Sequence, residues 1–221
     1  MKSLSEKSIV ENWEEFERIL LEEKEKSRAP KRWDKLIAFY QAYSDRFAVI
    51  PASSKTTYHN AFPGGYIDHV LRVYKIAKDV KALWDKFSTG TDFTDEELAF
   101  VALNHDLGKF GDVEHEMYLP QDSKWHNERG EVYKLNPEVT YMKVADRSLF
   151  LLSKLGVKIS DKEFLGIKLH DGLYEEANKS YFISYSDDFK LKTDLPYVIH
   201  SADQAAARIE SMQKSFPSHT I

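Results

Sequence analysis

The chain has no cysteine among its 221 residues. Disulfides are excluded, and so are thiolate zinc sites and cysteine nucleophiles, so any metal must be held by imidazole and carboxylate groups. A surplus of positive charge is also missing. With 31 basic against 36 acidic residues the net charge is −5, which offers nucleic acid no general attraction. Stable nucleic-acid binding is therefore not expected, while a small nucleotide remains compatible. No apolar run approaches about 18 residues, so neither a transmembrane helix nor a membrane partner is expected. Met1 to Arg18 is polar and charged, without the apolar stretch of a signal peptide, and a cytoplasmic location is expected. Internal repeats and low-complexity segments are absent too.

What is present is ample core material: 42% of residues are hydrophobic and 13% aromatic, enough for one large domain or one domain with an extension. The patterning is helical. Over residues 4–26, Ile9, Val10, Trp13, Phe16 and Leu20 recur at helical spacing among Glu and Lys, which predicts a packing helix. Ala29-Pro30 ends that pattern, and a second helix is predicted from about Lys31 to Phe47. Between Pro51 and Pro63 runs a polar connection, followed by Gly64-Gly65, a pair that permits positive φ or close backbone approach. From Tyr66 to Phe87 the apolar positions are too many for one surface stripe, so this helix is expected to be central. Thr94 with Glu97 three residues later reads as a capping box opening the next helix. Further helices are predicted over Pro137–Leu155, Ser160–His170 and Tyr197–Phe216, six to eight in all, with a short hairpin around Tyr181–Tyr185. The stretch 111–136 is long, polar and without period, and is read as a lid or substrate loop. The expectation is an all-α fold, with residues 1–55 as an N-terminal helical extension packed on a domain spanning 56–216.

The chain is organised around Ala99–Lys109, an apolar helical run ending in His105-Asp106-Leu107-Gly108-Lys109. Adjacent His and Asp at the end of a buried helix offer a nitrogen and an oxygen to one point, a donor pair suited to Zn, Mn, Fe or Mg. Alone the dipeptide says little, since a helical His is ordinarily a packed core residue and an Asp an ordinary cap. It gains weight from His69 on the central helix and Asp203 on the last.

In this order, His69, His105-Asp106 and Asp203 resemble the H…HD…D pattern of the HD-domain metal-dependent phosphohydrolases. His105-Asp106-Leu107-Gly108-Lys109 is similar to that family's H-D-[IL]-G-K variant, and Gly64-Gly65-Tyr66-Ile67-Asp68-His69 looks like its Gly-Gly-x-x-x-His approach to the first ligand. The resemblance covers roughly residues 60–210, and the small HD proteins of tailed phages are the nearest likeness, which would place the chain in a host cytoplasm. It implies an HD-type helical bundle in which His69, His105, Asp106 and Asp203 hold a divalent ion (Mn, Fe, Co, Ni, Zn or Mg), with a second ion open. It also implies hydrolysis of a nucleotide or related phosphate ester, by attack of a hydroxide held on the ion, with Lys109 neutralising phosphoryl charge.

Other assignments follow more loosely. His170, at a helix end before Asp171-Gly172, is a candidate further ligand; His126, beside Trp125, is a weaker one. His200 lies three residues before Asp203, to ligate or to orient it. Arg72, three residues from His69, is a candidate for substrate binding, and Glu114 or Asp112 for general acid or base. Asp146-Arg147 offers either a substrate-reading arginine or a surface ion pair. His59 and His115 read as loop residues, and His219 as inert. A homo-oligomer stays open. Rival readings are a 3′–5′ exoribonuclease-like phosphodiesterase and a non-catalytic nucleotide-binding regulatory module.

Overall fold

A computed structural model describes residues 3–212, so His219 and the expected helix end at Phe216 lie outside the described residues. The fold is all-α, as expected: ten α-helices among the described residues, with one two-stranded sheet. They are α1 (Glu6–Lys26), α2 (Pro30–Ala42), α3 (Ser44–Val49), α4 (Gly65–Phe87), α5 (Asp95–Asn104), α6 (Lys124–Glu128), α7 (Val144–Lys154), α8 (Asp161–Lys168), α9 (Lys179–Phe182) and α10 (Leu195–Met212). Strands β1 (Tyr118–Pro120) and β2 (Tyr133–Leu135) pair antiparallel, Tyr118 opposite Leu135. No described helix is long and apolar enough to cross a membrane.

The central pair is α4 and α10, which lie along one another, while α5 packs on α4 and α8 packs on both α5 and α10. As anticipated, α4 is central: its first half is largely enclosed, with Tyr66, Ile67, Val70, Leu71, Val73 and Ala77 all buried, while Leu83 and Phe87 near its end are exposed. One hydrophobic cluster runs from Phe16 in α1 to Ala206 in α10, so the N-terminal helices share the core of the rest. Gly64, at φ +82°, turns the chain into α4 in a conformation a side chain would strain. At Gly65 a Cβ would run into the Asn60 carbonyl.

Two capping boxes set α5 and α8. Thr94 Oγ1 accepts from the Glu97 amide at 3.1 Å while Glu97 Oε2 accepts from the Thr94 amide at 3.0 Å. Ser160 and Glu163 repeat this at the start of α8, and Ser160 Oγ donates to Glu97 Oε1 at 2.8 Å, tying the two helix starts together. Arg32 of α2 joins them, pairing with Glu96 and Glu163 at 2.8 Å each. With their beginnings fastened, α5 and α8 bring their far ends, and the histidines there, to one place.

Four expectations need correction. The helix expected over 31–47 breaks at Tyr43 into α2 and α3, because Phe39, Tyr43 and Phe47 all turn their rings onto Phe110. The helix expected from Pro137 starts only at Val144. Asn136 Oδ1 accepts from the Glu138 amide at 3.0 Å, a local turn that competes with helix. Around Tyr181 there is no hairpin but helix α9, whose Phe182 packs edge-on against Tyr197 at 5.2 Å. Finally, 111–136 is not patternless: it contains β1, α6 and β2, and it is pinned to the α3–α4 connection. Thr56 donates its amide to Gly130 at 2.8 Å, Val132 and Tyr133 donate theirs to Ser54 at 3.0 and 3.1 Å, and Lys55 pairs with Glu131 at 2.8 Å.

Candidate metal centre

His105 is the residue that closes α5, and Asp106 begins the 3₁₀ turn Leu107–Phe110. At this point the backbone is locked from outside. Ser148 Oγ of α7 donates to the His105 carbonyl at 2.9 Å and accepts from the Gly108 amide at 2.8 Å. Gly108 is required here, since a Cβ would collide with the Val144 carbonyl on α7. His105 Nδ1 donates to the Ala102 carbonyl at 2.9 Å, which fixes the ring and turns Nε2 inward. The same device recurs after α8: His170 Nδ1 donates to the Ile167 carbonyl at 2.8 Å, again three residues back. Thus two His-Asp dipeptides, His105-Asp106 and His170-Asp171, stand at two helix ends with one geometry.

His69 comes in from α4 and lies between two carboxylates of α10. Asp203 and Glu210 are seven residues apart, hence on one face and about 10.5 Å along the axis. The imidazole spans them, with Nε2 3.1 Å from Asp203 Oδ1 and Nδ1 donating to both Glu210 oxygens at 3.2 Å. Glu210 is fully buried and also accepts from Arg72 Nε at 3.0 Å.

These groups converge on Asp106. Its Oδ2 lies 3.6 Å from His69 Nε2 and 3.5 Å from His105 Nε2, and its Oδ1 lies 3.6 Å from His170 Nε2. Lys109 Nζ reaches Oδ2 at 2.5 Å. Donor atoms of His69, His105 and Asp106 lie within 4.8 Å of one another, as do those of His170, Asp171 and Asp203. The Nε2 atom of His105 is buried with no hydrogen-bond partner, and that of His69 has only the Asp203 carboxylate beside it, at 3.1 Å. A buried imidazole nitrogen without a partner is costly, and an ion among these donors would satisfy both at once. The nitrogen and oxygen donor set fits Zn or the other divalent ions expected from the sequence. The described residues therefore include buried His/Asp groups able to hold a metal ion.

Charge is finely opposed here. Burial works against both carboxylates, but Lys109 with His105 and His170 outweighs it at Asp106, and His69 with His105 and His170 outweighs it at Asp203, so both are held below the usual range. Burial likewise works against Lys109, yet Asp106 raises it above its ordinary value and keeps it charged. His69 is pulled down by burial and raised more strongly by Glu210 and Asp203, ending at about 10. For His170 burial is outweighed in the same way, chiefly by Asp171 and Asp106, so that its pKa rises.

Other expectations fare variously. His59 is no free loop residue: its ring sits 4.5 Å from that of His69, its Nε2 is buried without a partner, and burial with the nearby cations pushes it down to about 2. His200 does not orient Asp203; its Nδ1 donates to the His170 carbonyl at 2.8 Å and so secures the end of α8. His126 is half-exposed and bound to Glu131 at 2.5 Å. Arg72 is spent on Asp68 and Glu210, both at 3.0 Å, behind His69. Glu114 is exposed on a turn that Asp112 Oδ1 builds by accepting from the Glu114 and His115 amides, and it is not brought to the centre. His115 stays in that turn, 3.4 Å from Asp112.

Sequence reasoning missed Glu210, His59 and Tyr118. The one available signal for Glu210 was its spacing of seven from Asp203. Tyr118 of β1 lies within the field of Lys109 and Asp106, and burial raises its hydroxyl pKa against the opposing pull of Lys109. No family model, curated protein or solved structure matches the chain.

Proposed function

We propose that the chain is an HD-domain metal-dependent phosphohydrolase acting on a nucleotide or related phosphate ester. The observation that carries this is the convergence of the buried Nε2 atoms of His69 and His105 on one oxygen of Asp106, that of His105 with no hydrogen-bond partner. His69, His105 and Asp106 would hold one divalent ion; Asp203, on Nε2 of His69, completes that set. Asp106 offers its other oxygen to His170, so a second ion between His170, Asp171 and Asp203 is part of the reading. A bound ion would supply a Lewis acid for a phosphoryl oxygen and lower the pKa of its water.

The protein's own groups do the rest. Lys109 stays charged and offers an ammonium beside Asp106 for phosphoryl oxygens. The side chains of His69 and His105 are fully buried, whereas Asp203 is 17% and Asp171 49% exposed, so substrate approaches from the side of these two aspartates. Tyr174 and His200 flank that side, with ring centroids 6.2 Å apart. The hydroxyl of Tyr118 keeps its proton and is a donor near Lys109.

Metal analysis and phosphate release over a panel of nucleotides with Mn, Co, Ni, Mg and Zn test this proposal. Divalent-ion-dependent release, lost in Asp106→Ala and Asp203→Asn with ellipticity retained, is expected. Shortening of RNA from its 3′ end would favour the exoribonuclease reading. Tight nucleotide binding without turnover under any ion would favour the regulatory one.

A further inference from the structure

Arg147 is a buried cation outside the candidate centre. It is only 4% exposed and forms no ion pair with Asp146, which instead pairs with Lys168. Its Nη2 donates to the Thr140 carbonyl, while its Nε is buried without a hydrogen-bond partner. Among the described residues no carboxylate lies within ion-pair distance of it; Asp112 acts on it only at longer range. A buried guanidinium with no counter-charge is a costly arrangement unless something else supplies one.

The cavity it lines indicates what that is. Arg147 forms one wall of a cavity of about 320 Å³ whose other walls include Met117, Leu135, Val139, Tyr141 and Met142. The volume suits a small ligand. The lining includes Met117 and Leu135 but neither Tyr118 nor Lys109. None of the histidines or aspartates of the centre lines it.

We propose that this cavity is a second binding site, taking a small molecule with an apolar body and a carboxylate or phosphate group, the anion seated on Arg147. The apolar walls hold the body, and the guanidinium gains the counter-charge it otherwise lacks. This assignment does not depend on the reading of the metal centre.

Methionines make the test direct, because Met117 and Met142 line the cavity and Met212 does not. The full chain is labelled with ¹³C at the methionine methyls, freed of divalent ions, and titrated separately with phenyl phosphate, benzoate, inorganic phosphate and benzyl alcohol. Phenyl phosphate or benzoate should shift Met117 and Met142 together along one saturating curve, leaving Met212 in place. The stronger of the two tells a phosphate ligand from a carboxylate one. Benzyl alcohol should bind at least about tenfold more weakly, as loss of a charge-assisted contact requires. Inorganic phosphate should also be weaker, having no apolar body. Arg147→Met should abolish the preference for the anion while the cavity still admits benzyl alcohol. The wild-type comparison of anion with alcohol stands even if that variant does not fold. Equal affinity for phenyl phosphate and benzyl alcohol, or shifts at neither Met117 nor Met142, would overturn the proposal.

Discussion

Replacing Glu210 by Gln tests the centre at the residue least visible in the sequence. Glu210 accepts from two donors, His69 Nδ1 and Arg72 Nε. Gln keeps the shape and an oxygen at the Oε1 position that both donors reach, but it loses the second acceptor, Oε2, and the negative charge. The imidazole loses one of its two contacts and the charge that makes it a stronger ligand. Changes at such partners of a metal-bound histidine cost about ten- to a hundredfold in metal affinity, or about 1.4–2.7 kcal/mol. The pH dependence adds a second signature. In the metal-free protein His69 is held up to about 10, so a proton on its Nε2 competes with the ion below that pH. Affinity should therefore rise with pH across the neutral range. Removing the Glu210 charge lowers this pKa and weakens the competition. The deficit of Glu210→Gln should thus be widest at alkaline pH and narrow as pH falls. Calorimetric titration with Mn or Co at several pH values measures both. An unchanged affinity together with an unchanged pH slope would refute the idea that Glu210 acts on the ion through His69.

Lys109→Ala should leave metal content intact and lower kcat/KM by about ten- to a hundredfold, matching the loss of a charge-assisted contact of about 1.5–3 kcal/mol; steady-state kinetics on the substrate found in the panel decides it. Gly108→Ala should destabilise the fold by about 1–3 kcal/mol, because the new methyl meets the Val144 carbonyl and forces the 3₁₀ turn off α7. Thermal melts would read that loss, and reduced metal content would show that Asp106 moved with the turn. In the metal-free protein the protonated His69 between two carboxylates contributes stability that is complete below its unfolded pKa of about 6.5. That contribution disappears as pH rises through about 10, so the Tm in chelator should fall across this window. In hydrogen exchange, the amides of Thr56, Val132 and Tyr133 should be slow in the free protein, since they bond between the hairpin and residues 54–56 and beyond. Fast exchange there that slows only with nucleotide would restore the mobile-lid reading.

What was legible in the sequence was local or periodic. The Thr94–Glu97 capping box can be read because cap and partner are three residues apart, and the central place of α4 follows from the apolar density of its first half. His69, His105, Asp106 and Asp203 could be picked out from their flanks, and the structure brings them together. Glu210 could not be picked out. It looks like one more acid on a polar helix end, and only α4, supplying His69 and Arg72, makes it a buried anion. His59 was set aside because its segment has no pattern, yet that connection is drawn against α4 by Asn60, whose Nδ2 donates to Asp68 at 2.8 Å. Tyr43 shows the limit in the other direction: no Gly or Pro marks the break between α2 and α3, which long-range ring packing imposes.

That ring packing has a consequence for how the molecule comes apart. Phe110 follows Lys109 directly. It stacks on Phe47 at 4.8 Å, meets Phe39 at 4.9 Å and Tyr43 at 5.1 Å edge-on, and carries the Arg46 guanidinium 4.4 Å above its face. The turn holding Asp106 and Lys109 is thus fastened at one end to helices that lie before His69 in the chain. The centre has no melting transition of its own. Heat or denaturant that loosens the aromatic cluster releases the metal donors in the same cooperative step, so ion release and loss of tertiary signal should share a single midpoint.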